Sequence, residues 1–214
     1  MNTKTKQMTV VALLSAVAYV AMVFGRIPMV LFLKYDPKDI IIAFGGFLFG
    51  PLTAFGMAAL ISLIEMITVS NTGPIGLLMN VVSTCSFVCV AAFIYKRKRT
   101  IWGAAFGLVA GVAFMTLTML LWNYIVTPWF MGLRREVIRD MLLPVFLPFN
   151  LLKGGINAAA AMILYKPLIT ALRHFGMVPQ PVNSAKKISV AAVGAALFVL
   201  ISCILAVLIW QGRI

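Results

Sequence analysis

Two ionisable side chains, Glu65 and Lys153, and the carboxamides Asn80, Asn123, Asn150 and Asn157 lie inside long apolar stretches of this 214-residue chain. A charged residue at the centre of a membrane helix costs about 2.5–3.5 kcal/mol on insertion scales, so such groups face a cavity or a partner. Asn150, Lys153 and Asn157 stand at i, i+3 and i+7, which is one face of one helix. A carboxamide both donates and accepts, an ammonium donates three times and a carboxylate only accepts. Among apolar walls, a few such groups suit a flat, mostly neutral heteroaromatic ligand. Taken singly, each Asn reads equally as an interhelical hydrogen bond. Their shared depth is what favours a pocket. Within it a Glu65–Lys153 ion pair is expected.

Other chemistries find no support. The chain has no G-x-x-x-x-G-K-[ST] phosphate loop, no H-E-x-x-H and no G-x-S-x-G. No catalytic residues and no enzymatic activity are expected. Cys85, Cys89 and Cys203 sit in apolar runs and read as small buried hydrophobes. The only histidine, His174, has no Cys, Asp or Glu nearby, so no metal site is expected.

The elements that must position these groups are membrane helices. Hydrophobic residues make up 63% of the chain and charged ones 11%, with a mean hydropathy of +1.06. Soluble domains run at about 45–50% apolar and about 25% charged. The net charge of +13 does not indicate nucleic-acid binding, because Lys and Arg lie mostly in short segments between apolar runs. With about 20 apolar residues per span, the predicted spans are 8–24, a short glycine-rich run at 40–50, then 52–69, 75–95, 101–126, 147–166 and 188–210. The first run outlasts a signal-peptide core and is read as a mature helix. Residues 29–39 read as an apolar-aromatic loop carrying Lys34, Tyr35, Asp36 and Asp39, and 128–146 as an amphipathic connection. The expected fold is an all-α integral membrane bundle of six helices over residues 1–175. A polar linker at 176–187 and one additional C-terminal helix within 188–214 follow.

Charge counting orients it. With the N-terminus in the cytoplasm, Lys4, Lys6, the KRKR run at 96–99, Lys166, Arg173, Lys186 and Lys187 fall inside with no acid among them. The acids Asp36, Asp39, Glu136 and Asp140 fall outside, as does the C-terminus. At about 1.5 Å per residue, Glu65, Asn80, Asn123 and Lys153 share a layer roughly 5–10 Å beneath the external surface. Aromatic residues available to line it are Phe32, Tyr35, Phe44, Trp122, Tyr124, Trp129, Phe146 and Phe149, although most also suit an interfacial belt. Small residues one turn apart occur at Ala12–Ala16 and Gly107–Gly111. Such pairs permit close helix approach and most often reflect packing within the bundle.

Several of these motifs together resemble a known family. A-x-x-x-A at 12–16, LKYDPKD at 33–39, GLLMN at 76–80, NY at 123–124 and PFNLLKGGIN at 148–157 resemble the substrate-binding (S) components of energy-coupling factor (ECF) transporters, most nearly the riboflavin-binding branch. The resemblance implies capture of riboflavin at the outer face of a bacterial membrane. It also implies association with a transmembrane coupling subunit and two cytoplasmic ATPases, whose turnover topples the S component to release its cargo. In that scheme Ala12 and Ala16 dock the coupling subunit, Lys153 and Asn123 hydrogen-bond the flavin, and the 29–39 loop is the gate. Asn80, Asn150 and Lys153 are candidates for the ribityl hydroxyls. Riboflavin is then a transported ligand, and no cofactor is implied. The alternatives are an S component for another vitamin or related molecule, or a free-standing ion-coupled carrier with Glu65 as its relay. The seventh apolar run departs from the family pattern, whose core ends at the sixth helix.

Overall fold

The computed structural model describes residues 3–174 and 190–210, nearly all of them helical. Helix α1 (Thr3–Gly25) leads into a hairpin of β1 (Ile27–Val30) and β2 (Leu33–Tyr35). Then come α2 (Lys38–Phe49), α3 (Pro51–Thr68), α4 (Gly73–Arg97) and α5 (Ile101–Met131). Helix α6 (Arg135–Met141) runs through a π-helical turn (Leu142–Phe146) into α7 (Leu147–His174), and α8 is Val190–Trp210. Among the described residues, five helical rods are long and apolar enough to cross a membrane, and α8 has a shorter apolar core at Val193–Ile209. Large apolar side chains such as Phe24, Leu52, Ile67, Phe106 and Phe198 point outward along these rods. An exposed apolar surface on this scale belongs in lipid, so the chain is a multi-pass membrane protein.

The short run at 40–50 is the element that makes room. Helix α2 has 12 residues, about 18 Å of rise against a hydrocarbon core of about 30 Å. Past Lys38 and Asp39 in its first turn it is apolar all round, and it is mostly buried, as a helix enclosed by others must be. At its far end Phe47 packs on Tyr95 and Tyr165, whose hydroxyls are hydrogen-bonded to each other. Gly50, at φ +99°, then turns the chain into Pro51, the first residue of α3. A side chain is strained at that φ, and proline cannot continue a helix but starts one well. Because α2 does not cross the full thickness, the column above its N-terminus is left for other groups.

Two predicted connections turn out to be structured. The 29–39 loop is a two-stranded antiparallel hairpin, pairing Ile27 with Tyr35, Pro28 with Lys34 and Val30 with Leu33. Its second strand alternates, with Leu33 and Tyr35 buried and Lys34 exposed, the period-two pattern of a half-buried strand. The 128–146 connection is mostly helix: α5 continues through Pro128 to Met131, and Arg135–Tyr165 forms one continuous apolar rod. Pro144 lacks an N–H and would crowd an α-helical carbonyl, and the backbone widens around it into the π turn. There Ile138, Phe146 and Phe149 form a small apolar cluster with Leu33, seating the hairpin against α6 and α7.

Elsewhere the packing follows the small residues. Gly107 on α5 lies so close to α4 that an added Cβ would come within 2.7 Å of the Ala91 carbonyl oxygen. The Gly107–Gly111 pattern is thus a contact inside the bundle. Helix α8 packs on α7, where Cys203 approaches Gly155. The predicted linker at 176–187 lies outside the described residues.

Candidate functional site

Charge enters the bundle at both ends of the hairpin. Arg26 follows α1 and Asp36 follows β2, and the two are joined by a 2.7 Å ion pair. Gly25 and Pro37 touch beneath them, since a Cβ on Gly25 would lie 2.7 Å from the proline ring. Pro37 opens α2 and places Lys38 and Asp39 in its first turn, where successive residues point about 100° apart. Lys38 therefore reaches α3, and Asp39 reaches α4 and α7.

Two buried polar clusters result. In the first, Glu65 accepts from Arg26, from Lys38 and, at 2.8 Å, from the Asn80 amide, while Lys38 also lies 3.9 Å from Asp36. The two cations and two carboxylates balance. In the second, Asp39 accepts from the Thr84 hydroxyl at 2.7 Å and the Asn157 amide at 3.4 Å, and pairs with the Lys153 ammonium at 3.6 Å. Lys153 also donates to Ser83 at 3.4 Å. Burial works against the Arg26 charge, but the adjoining Asp36 and Glu65 carboxylates outweigh it and raise its pKa. Tyr35 is pushed up above its ordinary value, by burial first and then by the charges of Asp39 and Asp36.

Between the clusters and the hairpin lies a cavity of about 220 Å³. Arg26, Asp36, Glu65, Asn80, Asn150 and Lys153 supply its polar surface. Phe32, Leu33, Met79, Met119 and Phe149 form apolar walls. Lys34 and Asn71, both exposed, stand at its mouth, and Asn150 and Lys153, both buried, at its floor. Four helices and the hairpin thus contribute to one chamber that offers donors and acceptors among aromatic and thioether surfaces. That chemistry fits a planar ligand with a polar edge.

Of the residues expected at this site, Lys34, Asp36, Glu65, Asn80, Asn150 and Lys153 are brought together. Tyr35, Asn123 and Asn157 are buried but do not line the cavity. The Asn123 amide is occupied within α5, donating to the Met119 carbonyl and accepting from Thr127. Asn157 sits one turn below Lys153, against Asp39. The expected Glu65–Lys153 pair does not form. Each partner has a nearer opposite charge, because the first turn of α2 delivers Lys38 to Glu65 and Asp39 to Lys153. Of the expected aromatic lining, Phe32 and Phe149 take part, whereas Trp129 and Tyr124 face outward as belt residues. Ala12 and Ala16 lie on the exposed face of α1, opposite buried Val10, Leu14 and Ala18.

Sequence reasoning placed Asp39 in an external loop and did not single out Arg26, Lys38, Ser83 or Thr84 for the site. The available signal was the alternation of charge in KYDPKD around a helix-starting proline. Four charges so close to apolar runs need partners.

A membrane bundle with a short buried helix, a hairpin and a polar chamber beneath it defines a class: membrane proteins with a chamber fit for a small molecule. The chain belongs to the substrate-specific components of ECF transporters, whose family model matches residues 6–165. It is 31% identical over 182 residues to the riboflavin transporter RibU of Streptococcus thermophilus, covering 79% of this chain and 86% of that one. It is 27% identical over 186 residues to the riboflavin transporter FmnP of Bacillus subtilis, covering 79% and 97%. A solved structure of the S component of a bacterial ECF transporter superposes with a TM-score of 0.68 at 26% identity, covering 79% of this chain and 99% of the other.

Proposed function

We propose that this chain captures riboflavin at the outer face of the cell membrane, as the specificity subunit of an importer powered by separate ATPase chains. The observation that carries the reading is the chamber under the hairpin, where the Asn80 and Asn150 amides and the Lys153 ammonium meet aromatic and methionine walls. The isoalloxazine ring presents a C=O/N–H/C=O edge that amides match with a donor and an acceptor, and its hydroxylated tail needs further polar partners. A buried polar group left unpaired costs about 1–3 kcal/mol, so the site discriminates against planar molecules lacking that edge. The relatives named above as riboflavin transporters support the same ligand.

The positive-inside rule directs the KRKR run at 96–99 to the cytoplasm, and hence the opposite ends of α3 and α4, with the cavity, to the exterior. The hairpin then serves as the gate, with Lys34, Tyr35 and Asp36 on its second strand and its edge. The exposed Ala12–Ala16 face of α1 is a smooth surface on which a coupling subunit can dock closely. Glu65, already held by two cations and an amide, is a structural anchor in this scheme rather than an ion relay. The test is direct. Protein purified in detergent from cells supplied with riboflavin is expected to carry the visible absorption bands of oxidised flavin and to rebind riboflavin after its removal. Colourless protein that rebinds none refutes the proposal.

A further inference from the structure

Lys153 is the one ammonium at the cavity floor, and it is 4% exposed. What aims it is a carboxylate that no ligand in the cavity touches. Asp39 is 0% exposed and does not line the chamber, yet its Oδ2 faces Lys153 at 3.6 Å. The carboxylate is itself fixed at both oxygens: Thr84 donates to Oδ1 and Asn157 to Oδ2. It also occupies the first turn of α2, where the helix dipole favours a negative charge. The groups that face it come from three elements: Thr84 and Cys85 from α4, Lys153 and Asn157 from α7, and Tyr35, on which its charge acts, from β2.

We infer that Asp39 is a positioning residue for ligand capture, a rigid buried anchor that holds the Lys153 ammonium in place with its remaining donor capacity directed into the cavity. An ammonium has three donors. Ser83 accepts from one at 3.4 Å, the Asp39 charge 3.6 Å away draws the ammonium to its side, and the cavity is open to the remaining donor capacity. Without Asp39 the lysine would lose the carboxylate it pairs with and be free to turn toward other acceptors. The inference rests on the proposed capture of riboflavin and adds to it the residue that makes Lys153 an effective contact.

The experiment is a double-mutant cycle on the full chain in detergent, titrated with riboflavin. Asp39→Asn is expected to weaken binding about 10- to 100-fold, the range for losing a hydrogen bond to a charged group. Lys153→Met is expected to lose a similar factor. The double variant should bind within about threefold of Lys153→Met alone, because Asp39 acts through the lysine. At saturating riboflavin, the absorption maximum of the bound flavin in Asp39→Asn should move toward its position in Lys153→Met, a change that a merely structural role does not produce. Should Asp39→Asn fail to fold, Thr84→Val leaves both charges in place and loosens only the anchor. It is expected to lose about 3- to 10-fold in affinity, and only while Lys153 is present. Wild-type affinity in Asp39→Asn, or losses that multiply in the double variant, overturns the inference while leaving riboflavin capture standing. A wild-type protein that binds no riboflavin removes both.

Discussion

Replacing Glu65 with alanine removes the acceptor shared by Arg26, Lys38 and Asn80, and the structure allows the damage to be sized. Arg26 keeps Asp36 at 2.7 Å, but Lys38, 0% exposed, is left with a 3.9 Å contact to the same carboxylate. A balanced cluster of two cations and two carboxylates becomes one with an uncompensated buried charge. Breaking a buried pair from one side costs about 3–5 kcal/mol, and Glu65→Ala is expected to fall in that range. Glu65→Gln keeps the shape and an acceptor for Asn80, so its loss should be about 1.5–3 kcal/mol, the worth of charge-assisted hydrogen bonds. Adding Lys38→Met to Glu65→Gln removes a matched cation and restores neutrality around Arg26 and Asp36. That double variant is expected to recover to within about 1 kcal/mol of the parent, since apolar replacement of a whole buried pair is often neutral. Unfolding by SDS titration in mixed micelles, followed by circular dichroism, measures all five proteins, the single Lys38→Met variant included. A Glu65→Ala loss under about 1 kcal/mol, or a double variant as damaged as the two single losses added, would refute the view that this cluster is held by charge balance.

Two further outcomes follow from the same geometry. A chain ending at residue 175 lacks α8, which packs on α7 and contributes no described residue to the cavity. Its riboflavin affinity by fluorescence quenching is expected to stay within about threefold of the full chain, and a larger loss would assign α8 a part in shaping the site. Tyr35, with a folded pKa raised by burial above the ordinary tyrosine value of about 10, contributes stability that is fully present below the unfolded value and is lost as pH rises through the folded one. Thermal stability in detergent should therefore decline above about pH 10, and Tyr35→Phe should lessen that decline; an unchanged alkaline slope contradicts it.

Composition and periodicity determined that this is a helical membrane protein, and roughly where each long helix runs, because every backbone polar group in lipid must be satisfied within the segment. The polar layer was legible for the same reason. An Asn or Lys in an apolar run is conspicuous, and helical spacing sets Asn150, Lys153 and Asn157 on one face without any knowledge of neighbours. Which polar group meets which was decided only by the tertiary structure. Glu65 and Lys153 look like natural partners by sign and depth, yet Pro37 starts a helix whose first turn sends Lys38 one way and Asp39 another. The same holds for the hairpin at 27–35, which closes over the space left by the short helix that the apolar run at 40–50 had already marked. Apolar character along a chain is a local property, whereas the pairing of buried charges depends on where separate segments come to rest against one another.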